Sequence, residues 1–416
     1  VPVDIMFSSF AADGQLDERP FDHNPRSAPR AWPCPDDLQE VIDLLLASER
    51  PLLIGGHGVW WSGAERKLEQ VGISLAIPVY NIPYHQKLLP EASKAYMGLA
   101  DVHQYGPAKA ALEEADVAIM IGGRLDNQMN FGNAPLFPPS CKLICVNGSA
   151  EETELNRAAD KVLLSDPGAF LSALLDLKEK GRWQRGDDWI KAQRTRRGEW
   201  VVQTLAGMDN DLTPGQGVHP LQLALDVQRA MGPKDWLVID GGNTHFWSEI
   251  AINIAGWRGQ ELGGILHPGA FSMLGVGVSF AVAAKLTHPD VHAVVISGDG
   301  AFLSGGLSIE AAFQENAPIT VVIDNNGGLT TISQQQERLF GHDCHVATDF
   351  RDIPFHSMFE GLGGYGELVE DPAEITPAVN RAMASGRTAC VNVRSRGVIS
   401  PIVAAVTSKR DKASIE

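Results

Sequence analysis

Cysteine is scarce in this sequence, and long apolar runs are absent from it. The 416 residues include five cysteines, and such an odd, sparse set favours free thiols in a reducing compartment. No apolar run reaches about 18 residues, so no membrane-spanning helix is expected. The first ten residues contain neither a basic segment nor a long apolar core, which argues against a signal peptide. These absences together predict a cytoplasmic protein without a membrane anchor.

Positive charge is also in short supply. The chain carries 34 lysines and arginines against 51 aspartates and glutamates, a formal net charge of −17. This excess of negative charge disfavours nucleic acid and anionic membranes as partners, and any anionic substrate must be met by local donors. Cys141 and Cys145 lie on a predicted strand with no further Cys or His at zinc-like spacing. We therefore interpret them as buried structural residues rather than metal ligands.

Alternating apolar runs and helical segments predict an α/β fold with two doubly wound parallel-sheet domains. The length is also too great for one average domain. The expected divisions are an N-terminal linker, a first domain, a second linker, a second domain and a C-terminal tail, at residues 1–36, 37–185, 186–217, 218–400 and 401–416.

Several local features of the first domain and the second linker can be predicted. Asp37 is a candidate N-cap for a helix at Leu38–Ser48, and Ser74–Val79 is predicted to be a strand. Glycines follow a predicted strand at Pro51–Ile54, but no GxGxxG dinucleotide motif is present. The basic residues Arg194–Arg197 in the linker are interpreted as a solvated helix face.

The most informative stretch is a β-α-β unit in the second domain. The apolar run Ala293–Ile296 predicts a buried strand, which leads into a carboxylate between two glycines, Gly298–Gly300. A helix is predicted at Leu307–Glu315, and a second buried strand at Ile319–Ile323 leads into a polar loop that contains Asn326. Ligands of open α/β sheets bind at the carboxyl ends of the strands, so both loops are expected at one site.

The two loops are chemically complementary. Asp299 and Asn326 offer oxygen atoms to a hard cation, and the glycines let backbone N–H groups approach an anion. Mg²⁺ is usually held by a few protein oxygens together with phosphates of the ligand. A diphosphate bridged to the protein by Mg²⁺ is therefore the natural occupant. A pair of ordinary tight turns is the alternative interpretation.

The GDG motif, followed by an asparagine 27 residues after its aspartate, resembles the thiamine diphosphate signature of the acetolactate synthase, oxalyl-CoA decarboxylase and 2-hydroxyacyl-CoA lyase superfamily. The resemblance implies that Asp299, Asn326 and the carbonyl of Gly328 hold Mg²⁺. It also implies that the diphosphate is met by the residues around these ligands, namely Gly298, Gly300, Ala301, Leu329, Thr330 and Thr331. The first and second domains then correspond to the family's middle domain and its thiamine diphosphate-binding domain.

Two further loops of the second domain match positions of the same family. Gly242, Asn243 and Thr244 correspond to a loop that contacts the diphosphate. Leu274 corresponds to the bulky apolar residue that bends the cofactor, with simple core packing as its alternative role. His245 is a candidate acid–base group, and a hydrogen-bonding or packing role is the alternative.

Other segments are similar to parts of CoA-using relatives. Arg124 begins a segment, RLD followed by FG, that is similar to one in the CoA-using lyases, so it is a candidate contact for a nucleotide or CoA. Whether the middle domain binds such a ligand stays open. Gln334–Arg338 suggests an active-site helix or lid. Arg394, Arg396 and the basic residues of the tail are candidates for a CoA phosphate, with ordinary solubility as the alternative.

The resemblance also implies a missing component. In the family, a glutamate that activates the cofactor comes from a pyrimidine-binding domain, across a subunit interface. Val1–Phe7 is similar to the segment that ends this domain in relatives, and no equivalent of the domain follows it. We therefore expect a split enzyme in which this chain is the large subunit and a small subunit supplies the glutamate, forming an α₂β₂ hetero-oligomer. A truncated chain is the alternative.

The predicted activity is the cleavage or formation of a carbon–carbon bond in a small molecule, with thiamine diphosphate and Mg²⁺ as cofactors. The leading expectation is an enzyme like 2-hydroxyacyl-CoA lyase or oxalyl-CoA decarboxylase, because of the Arg124 segment and the Gly-Asn-Thr loop. One alternative is an acetolactate synthase-like carboligase or 2-oxo acid decarboxylase. Another is a non-catalytic cofactor-binding subunit, which the pair Asp299 and Asn326 argues against.

Overall fold

The computed structural model describes residues 30–404, apart from 84–86, 102–104, 154, 180, 185 and 212–216. Its first sheet has six parallel strands in the spatial order β3-β2-β1-β4-β5-β6. The strands are β1 Pro51–Gly55, β2 Val79–Asn81, β3 Tyr96–Leu99, β4 Val117–Ile121, β5 Lys142–Asn147 and β6 Lys161–Leu164. Every residue of β1, β2 and β4 is buried, as expected for parallel strands that are covered on both faces.

Five helices accompany this sheet in the described part of the chain. They are α1 Pro35–Ala47, α2 His57–Trp61, α3 Glu65–Ser74, α4 Gly106–Glu114 and α5 Pro167–Glu179. Two local predictions are wrong here. The N-cap of α1 is Cys34 rather than Asp37, because the proline that follows Cys34 suits the first helical position. Helix α3 continues through Ser74 and β2 begins only at Val79, because the apolar residues between them are buried in a loop.

A 24-residue helix, α6 (Asp188–Asp211), joins the two sheets. The prediction that its basic cluster is a solvated face is wrong for Arg197, which is 2% exposed. Its Nη2 lies 2.9 Å from Oε2 of Glu91, and its guanidinium also donates to the carbonyls of Tyr96 and Asn253. Arg197 is buried because this face of α6 lies between the two domains.

The second sheet also has six parallel strands, in the order β11-β12-β10-β9-β7-β8. The strands are β7 Trp236–Ile239, β8 Gly264–Leu266, β9 Ala293–Gly298, β10 Thr320–Asn325, β11 Tyr365–Val369 and β12 Ala389–Arg394. The chain passes from β7 outward to β8 and then returns to β9 on the other side of β7. The strand order therefore reverses between β7 and β9.

Eight helices accompany the second sheet among the described residues. They are α7 Pro220–Ala230, α8 Asn243–Trp257, α9 Gly277–Thr287, α10 Asp299–Gly305, α11 Glu310–Gln314, α12 Thr330–Phe340, α13 Phe355–Gly361 and α14 Ile375–Ala384. Helix α12 contains the segment that was expected to form an active-site helix. Helix α10 was not predicted, since its glycines are poor helix formers.

The predicted fold class, α/β with two doubly wound parallel-sheet domains, is confirmed. Cys141 and Cys145 are buried, as predicted. Residues 1–29 and 405–416 lie outside the described residues, and with them the segment Val1–Phe7, most of the N-terminal linker and the basic residues of the tail. None of the described helices is both long and apolar enough to cross a membrane.

Candidate functional site

A cavity of about 290 Å³ lies at the carboxyl ends of β7, β9 and β10. It therefore lies where the strand order reverses, which is the usual ligand position in an open α/β sheet. All the metal and cofactor contacts predicted in the second domain line it, namely Gly242, Asn243, Thr244, Leu274, Gly298, Asp299, Gly300, Ala301, Asn326, Gly328, Leu329, Thr330 and Thr331. The fold thus brings together four loops that are distant in sequence.

Asp299 begins α10 directly after β9 and is 2% exposed. One of its carboxylate oxygens accepts hydrogen bonds from the amides of Gly327 and Gly328, at 2.8 and 3.0 Å, and the other accepts one from Gly300 at 2.7 Å. Burial raises the pKa of Asp299 to about 7, and the nearby carboxylate of Asp324 adds to the rise. A bound cation at this position offsets both effects.

The loop after β10 brings the second predicted metal ligand to the same cavity. Oδ1 of Asn326 accepts a hydrogen bond of 2.9 Å from the hydroxyl of Thr330. The amides of Leu329 and Thr330 donate to the carbonyls of Thr348 and Gly328, so their hydrogen atoms are already engaged within the chain. The buried hydroxyl of Thr331 has no hydrogen-bond partner among the described residues. Thr331 is therefore the side chain of this loop that is ready for a ligand.

The loop after β7 contributes its backbone rather than its polar side chains. The carboxamide of Asn243 donates to the carbonyl of Val398 at 2.7 Å and accepts from the amide of Ser400 at 3.0 Å. The hydroxyl of Thr244 donates to Asp324 at 2.7 Å. Both residues begin α8 and line the cavity, so the backbone N–H groups of the first helical turn are what they offer to an anion.

Leu274 lines the cavity and is 40% exposed. Its side chain rests on Gly241, where an added methyl group would come within 2.4 Å of Cδ2 of Leu274. The neighbouring side chains of Phe271 and Met273 are 97% and 64% exposed. Leu274 is thus held against the cavity floor, in a position where its apolar side chain can contact a cofactor.

Two buried carboxylates that sequence reasoning missed organise these loops. Asp240 directly follows β7 and accepts hydrogen bonds from the amides of Gly241 and Gly275 and from the hydroxyl of Ser297. Asp324, at the end of β10, accepts from the hydroxyls of Thr244 and Ser395. A signal was present in the sequence, because the triplet Val-Ile-Asp occurs at 238–240 and again at 322–324, each time as a buried strand reaches its polar loop.

His245 lies outside this cavity. Its ring is buried, and its Nε2 is 3.3 Å from Oε1 of Glu249, on the face of α8 that meets the first domain. A smaller cavity there is lined by His245, Glu249 and His267 together with Lys87 and Glu91. Burial lowers the pKa of His245 to about 4, so the ring is neutral at physiological pH. These features favour the packing and hydrogen-bonding role over the acid–base role.

The switch point of the first sheet is closed by backbone contacts. The amides of Gly56 and Gly58 donate to the carbonyls of Ile121 and Gly122, at 2.9 and 2.8 Å. A methyl group at Gly56 would come within 2.5 Å of the Gly122 oxygen, so glycine is needed for this close approach. Nε of Arg124 lies 3.3 Å from Glu152, and the side chain is 45% exposed. The close approach of the two backbones therefore accounts for the glycine at position 56.

The donors around the second-domain cavity fit a hard cation and a diphosphate. A buried carboxylate, a carboxamide oxygen and the Gly328 carbonyl are oxygen ligands of the kind that Mg²⁺ takes. No group of three or more His, Cys, Asp or Glu side chains that could hold a metal ion occurs in the described ranges. The first turns of α8 and α12 both line the cavity and favour an anion such as a diphosphate.

Comparison with known proteins agrees with this chemistry. Residues 38–174 match the family model described as "Thiamine pyrophosphate enzyme, central domain", and residues 240–393 match "Thiamine pyrophosphate enzyme, C-terminal TPP binding domain". An acetolactate synthase large subunit of Mycobacterium tuberculosis is 30% identical over 399 residues, which cover 94% of this chain and 67% of the relative. The chain belongs to the thiamine pyrophosphate enzyme family. Its cofactor is accordingly thiamine diphosphate, for which thiamine pyrophosphate is a synonym.

Other relatives in the thiamine pyrophosphate enzyme family bear a different name. A 2-hydroxyacyl-CoA lyase of Arabidopsis thaliana is 26% identical over 425 residues, covering 98% of this chain and 70% of the relative. The 2-hydroxyacyl-CoA lyase 2 of Homo sapiens is 27% identical over 364 residues, covering 86% of this chain and 54% of the relative. The family is thus clear, and its similar members include proteins named acetolactate synthase and proteins named 2-hydroxyacyl-CoA lyase.

Proposed function

We propose that this chain binds thiamine diphosphate through Mg²⁺ in the cavity of the second domain and serves an enzyme that cleaves or forms carbon–carbon bonds. The observation that carries the proposal is the position of Asp299 and Asn326, which follow neighbouring strands and line one cavity together with Leu274. When bound, thiamine diphosphate supplies an electron sink for a carbanion at a former carbonyl carbon. The chain's own residues bind it, orient it and exclude water.

Each group of residues has a proposed role. Asp299, Asn326 and the carbonyl of Gly328 hold the metal ion. The diphosphate would be received by the Thr331 hydroxyl and by the surrounding turns, which comprise Gly242, Asn243, Thr244, Gly298, Gly300, Ala301, Leu329 and Thr330. Leu329 and Thr330, whose amides already donate within the chain, would line the turn rather than donate to the anion. Leu274 would contact the cofactor with its apolar side chain and favour the bent form of the bound molecule. His245 is proposed as a packing residue on the face of α8 that meets the first domain.

For the substrate, we favour a 2-hydroxyacyl-CoA lyase or oxalyl-CoA decarboxylase type of reaction. The similarity to proteins named 2-hydroxyacyl-CoA lyase over 98% of this chain supports this choice. So does the segment that begins at Arg124, a residue that would exchange its exposed ion pair with Glu152 for a phosphate of CoA.

An acetolactate synthase-like carboligase is the second candidate. The observation that favours it is the 30% identity with the mycobacterial acetolactate synthase large subunit, against 26% and 27% with the two lyases. A 2-oxo acid substrate has no CoA group, so this candidate makes no use of Arg124.

We further propose that a pyrimidine-binding domain on a small partner subunit completes the site, in an α₂β₂ assembly. Apolar side chains beside the cavity support a protein partner there, since Phe271, Met273 and Leu307 are 97%, 64% and 78% exposed. The chain spans 54–70% of the three relatives named above, which are therefore longer than it is. A cytoplasmic location is part of the proposal, and five free cysteines are consistent with it.

Binding and turnover test these proposals separately. Calorimetry should show thiamine diphosphate binding that requires Mg²⁺, and no heat of binding would refute the cofactor site. With a candidate small subunit present, turnover of a 2-hydroxyacyl-CoA supports the leading choice. Turnover of pyruvate alone selects the carboligase or decarboxylase. Binding without turnover of either substrate, under conditions where the complex forms, identifies a non-catalytic cofactor-binding subunit.

A further inference from the structure

The loop that carries Leu274 adopts an unusual backbone conformation. It connects a short 3₁₀ helix, Gly269–Phe271, to α9. Ser272 has a φ of 49° and Gly275 a φ of 84°, so two of its residues lie in the left-handed region. A residue other than glycine adopts this conformation at a cost in free energy, and the conformation persists only where the surroundings hold the backbone in place. The loop therefore depends on contacts from outside itself.

One of those contacts is a close approach of two glycines. A methyl group on Gly275 would lie 2.7 Å from the nitrogen of Gly305, and one on Gly305 would lie 2.1 Å from the oxygen of Gly275. Gly305 ends α10, the helix that Asp299 begins. One side of the Leu274 loop thus packs directly against α10, the helix that begins with the proposed metal ligand Asp299.

The other contact is Asp240, which is 1% exposed. A single oxygen of its carboxylate, Oδ1, accepts hydrogen bonds from Gly241 at 2.8 Å and from Gly275 at 2.9 Å. The second oxygen accepts from the hydroxyl of Ser297 at 3.1 Å. Gly241 is the residue on which Leu274 rests, and Gly275 is the residue that follows it. Asp240 therefore binds both Gly241, on which Leu274 rests, and Gly275, which follows Leu274, and it connects them to Ser297 of β9.

We propose that Asp240 is a positioning residue that fixes how far the Leu274 side chain extends into the cavity. In this role it acts on the cofactor only through Leu274, since its two oxygens are occupied by the loop and by Ser297. The inference rests on the proposed role of Leu274 as the residue beneath the cofactor. Its consequence is specific: loss of Asp240 impairs recognition of the ring-bearing part of thiamine diphosphate and spares recognition of the diphosphate.

Two ligands separate these effects, namely thiamine diphosphate and inorganic pyrophosphate, each titrated with Mg²⁺ into the full chain by calorimetry. We expect Asp240→Ala and Leu274→Ala each to weaken thiamine diphosphate binding about tenfold, the worth of one lost apolar side-chain contact. Pyrophosphate affinity should change less than about twofold, because no contact to the anion is removed. The double variant should resemble either single variant, since both remove the same contact.

Asp235 provides a matched control at the other end of β7. It is also buried, and it also accepts backbone hydrogen bonds, from Gly232 at 2.7 Å and His292 at 3.2 Å. Asp235→Ala should lower thermal stability as Asp240→Ala does, yet leave the ratio of the two dissociation constants unchanged. Asp240→Asn keeps an acceptor for the two glycine amides and should restore most of the thiamine diphosphate affinity.

The outcomes distinguish the inference from the function on which it rests. If Leu274→Ala binds thiamine diphosphate like the unmodified chain, the proposed role of Leu274 is wrong, and the inference falls with it. If Leu274→Ala is impaired but Asp240→Ala is not, only the inference is wrong. Equal losses for both ligands in Asp240→Ala, or an Asp240→Asn variant as weak as Asp240→Ala, would also overturn it.

Discussion

Three aspartates lie at the carboxyl ends of three neighbouring strands of the second sheet, and their surroundings give them different tasks. Asp299 lines the cavity, and its carboxylate accepts only backbone amides in the described structure. Asp240 and Asp324 accept side-chain hydroxyls and hold loops together. Asp299, which lines the cavity, is thus the one available to a metal ion, whereas Asp240 and Asp324 stabilise the surrounding loops.

The first prediction concerns the charge of Asp299. Asp299→Asn should weaken Mg²⁺-dependent binding of thiamine diphosphate by at least about 100-fold, or about 2.8 kcal/mol, because a neutral amide cannot offset the cation. Calorimetry with and without Mg²⁺ measures the loss. The same substitution at Asp235, away from the cavity, is the control. An Asp299→Asn variant that retains affinity to within about threefold would remove this residue from the metal site.

The second prediction concerns the buried ion pair of Arg197 and Glu91, both with side chains 3% exposed. Arg197→Met should destabilise the protein by about 3–5 kcal/mol, because it removes the hydrogen-bonded partner of a buried carboxylate and leaves only Lys87, at 3.9 Å, to balance its charge. Urea unfolding measures the change. On the same helix, Arg196 pairs with Glu114 near the surface, and Arg196→Met should cost less than about 1 kcal/mol.

A double variant completes this test. Replacing Glu91 by Leu together with Arg197→Met removes both charges, so much of the lost stability should return. Equal effects of the Arg197 and Arg196 substitutions would contradict the buried role of Arg197.

At the scale of elements, helix α12 and the loop after it are hydrogen-bonded to each other and to the loop that follows β10. Gln336 hydrogen-bonds both the amide and the carbonyl of Val346, at 2.8 and 3.2 Å. His345 lies 2.6 Å from Glu337 and 3.0 Å from Asp349. Beyond them, the amide of Phe350 donates to the carbonyl of residue 327, in the loop that follows β10. These contacts of Gln336, Glu337, His345, Val346 and Asp349 are called the His345 clasp below. The clasp holds the backbone next to the proposed metal ligands in place.

The third prediction is a pH dependence of this clasp. The hydrogen bond to Glu337, and secondarily the one to Asp349, raises the pKa of His345 above its ordinary value. A histidine with a raised pKa in the folded state contributes stability that is fully present below its unfolded pKa of about 6.5. That contribution is lost as the pH rises through the folded pKa.

Hydrogen exchange of residues 341–349, corrected for the intrinsic rates, measures the effect. Protection should decrease from about pH 6 to about pH 8 in the unmodified chain, and the decrease should be smaller in Glu337→Gln. His342→Gln, in the same loop, is the control and should behave like the unmodified chain. Protection that does not vary with pH in the unmodified chain would refute the role of His345.

The success of sequence reasoning differed among the elements for physical reasons. The central strands β1, β4, β9 and β10 were predictable, because burial on both faces makes them continuous apolar runs. Strand β11, at the sheet edge, is only partly buried and carries a glycine and a glutamate, so it has no such pattern. Helix α10 was hidden because a glycine-rich segment reads as a turn.

The candidate site was predictable where chemistry follows directly from a strand end. Asp299 and Asn326 could be found in this way, and both line the cavity. The tasks of Asp240 and Asp324 depend on partners 35 and 71 residues away, which no local pattern specifies. The engagement of Asn243 with residues 398–400 was missed for the same reason.

At the scale of the whole molecule, the two domains are joined by more than α6. Lys87 of the first domain lies 2.6 Å from Glu261 of the second, and Asn253 accepts a hydrogen bond of 2.9 Å from the amide of Leu99. Together with the pair of Arg197 and Glu91, these contacts make a polar seam between the sheets. A change in the stability of one domain is therefore expected to reach the other.

The fourth prediction follows for cofactor binding. Thiamine diphosphate with Mg²⁺, at about 100 times its dissociation constant, should stabilise the folded chain by about 2.7 kcal/mol and raise its unfolding temperature. Thermal unfolding monitored by circular dichroism measures the rise. Addition of EDTA should abolish it, and Asp299→Asn should reduce it to about 0.4 kcal/mol or less, since its affinity is expected to fall by at least about 100-fold. A rise of equal size with EDTA present would mean that no metal ion bridges the ligand.

The contact between Gly275 and Gly305 bears on any effort to reshape this protein in the laboratory. Because neither position has room for a methyl group on the present backbone, diversified libraries should leave both untouched and vary the cavity rim instead. The same contact places the Leu274 loop and helix α10, which begins at Asp299, against each other without a side chain between them, so a displacement of one is expected to move the other.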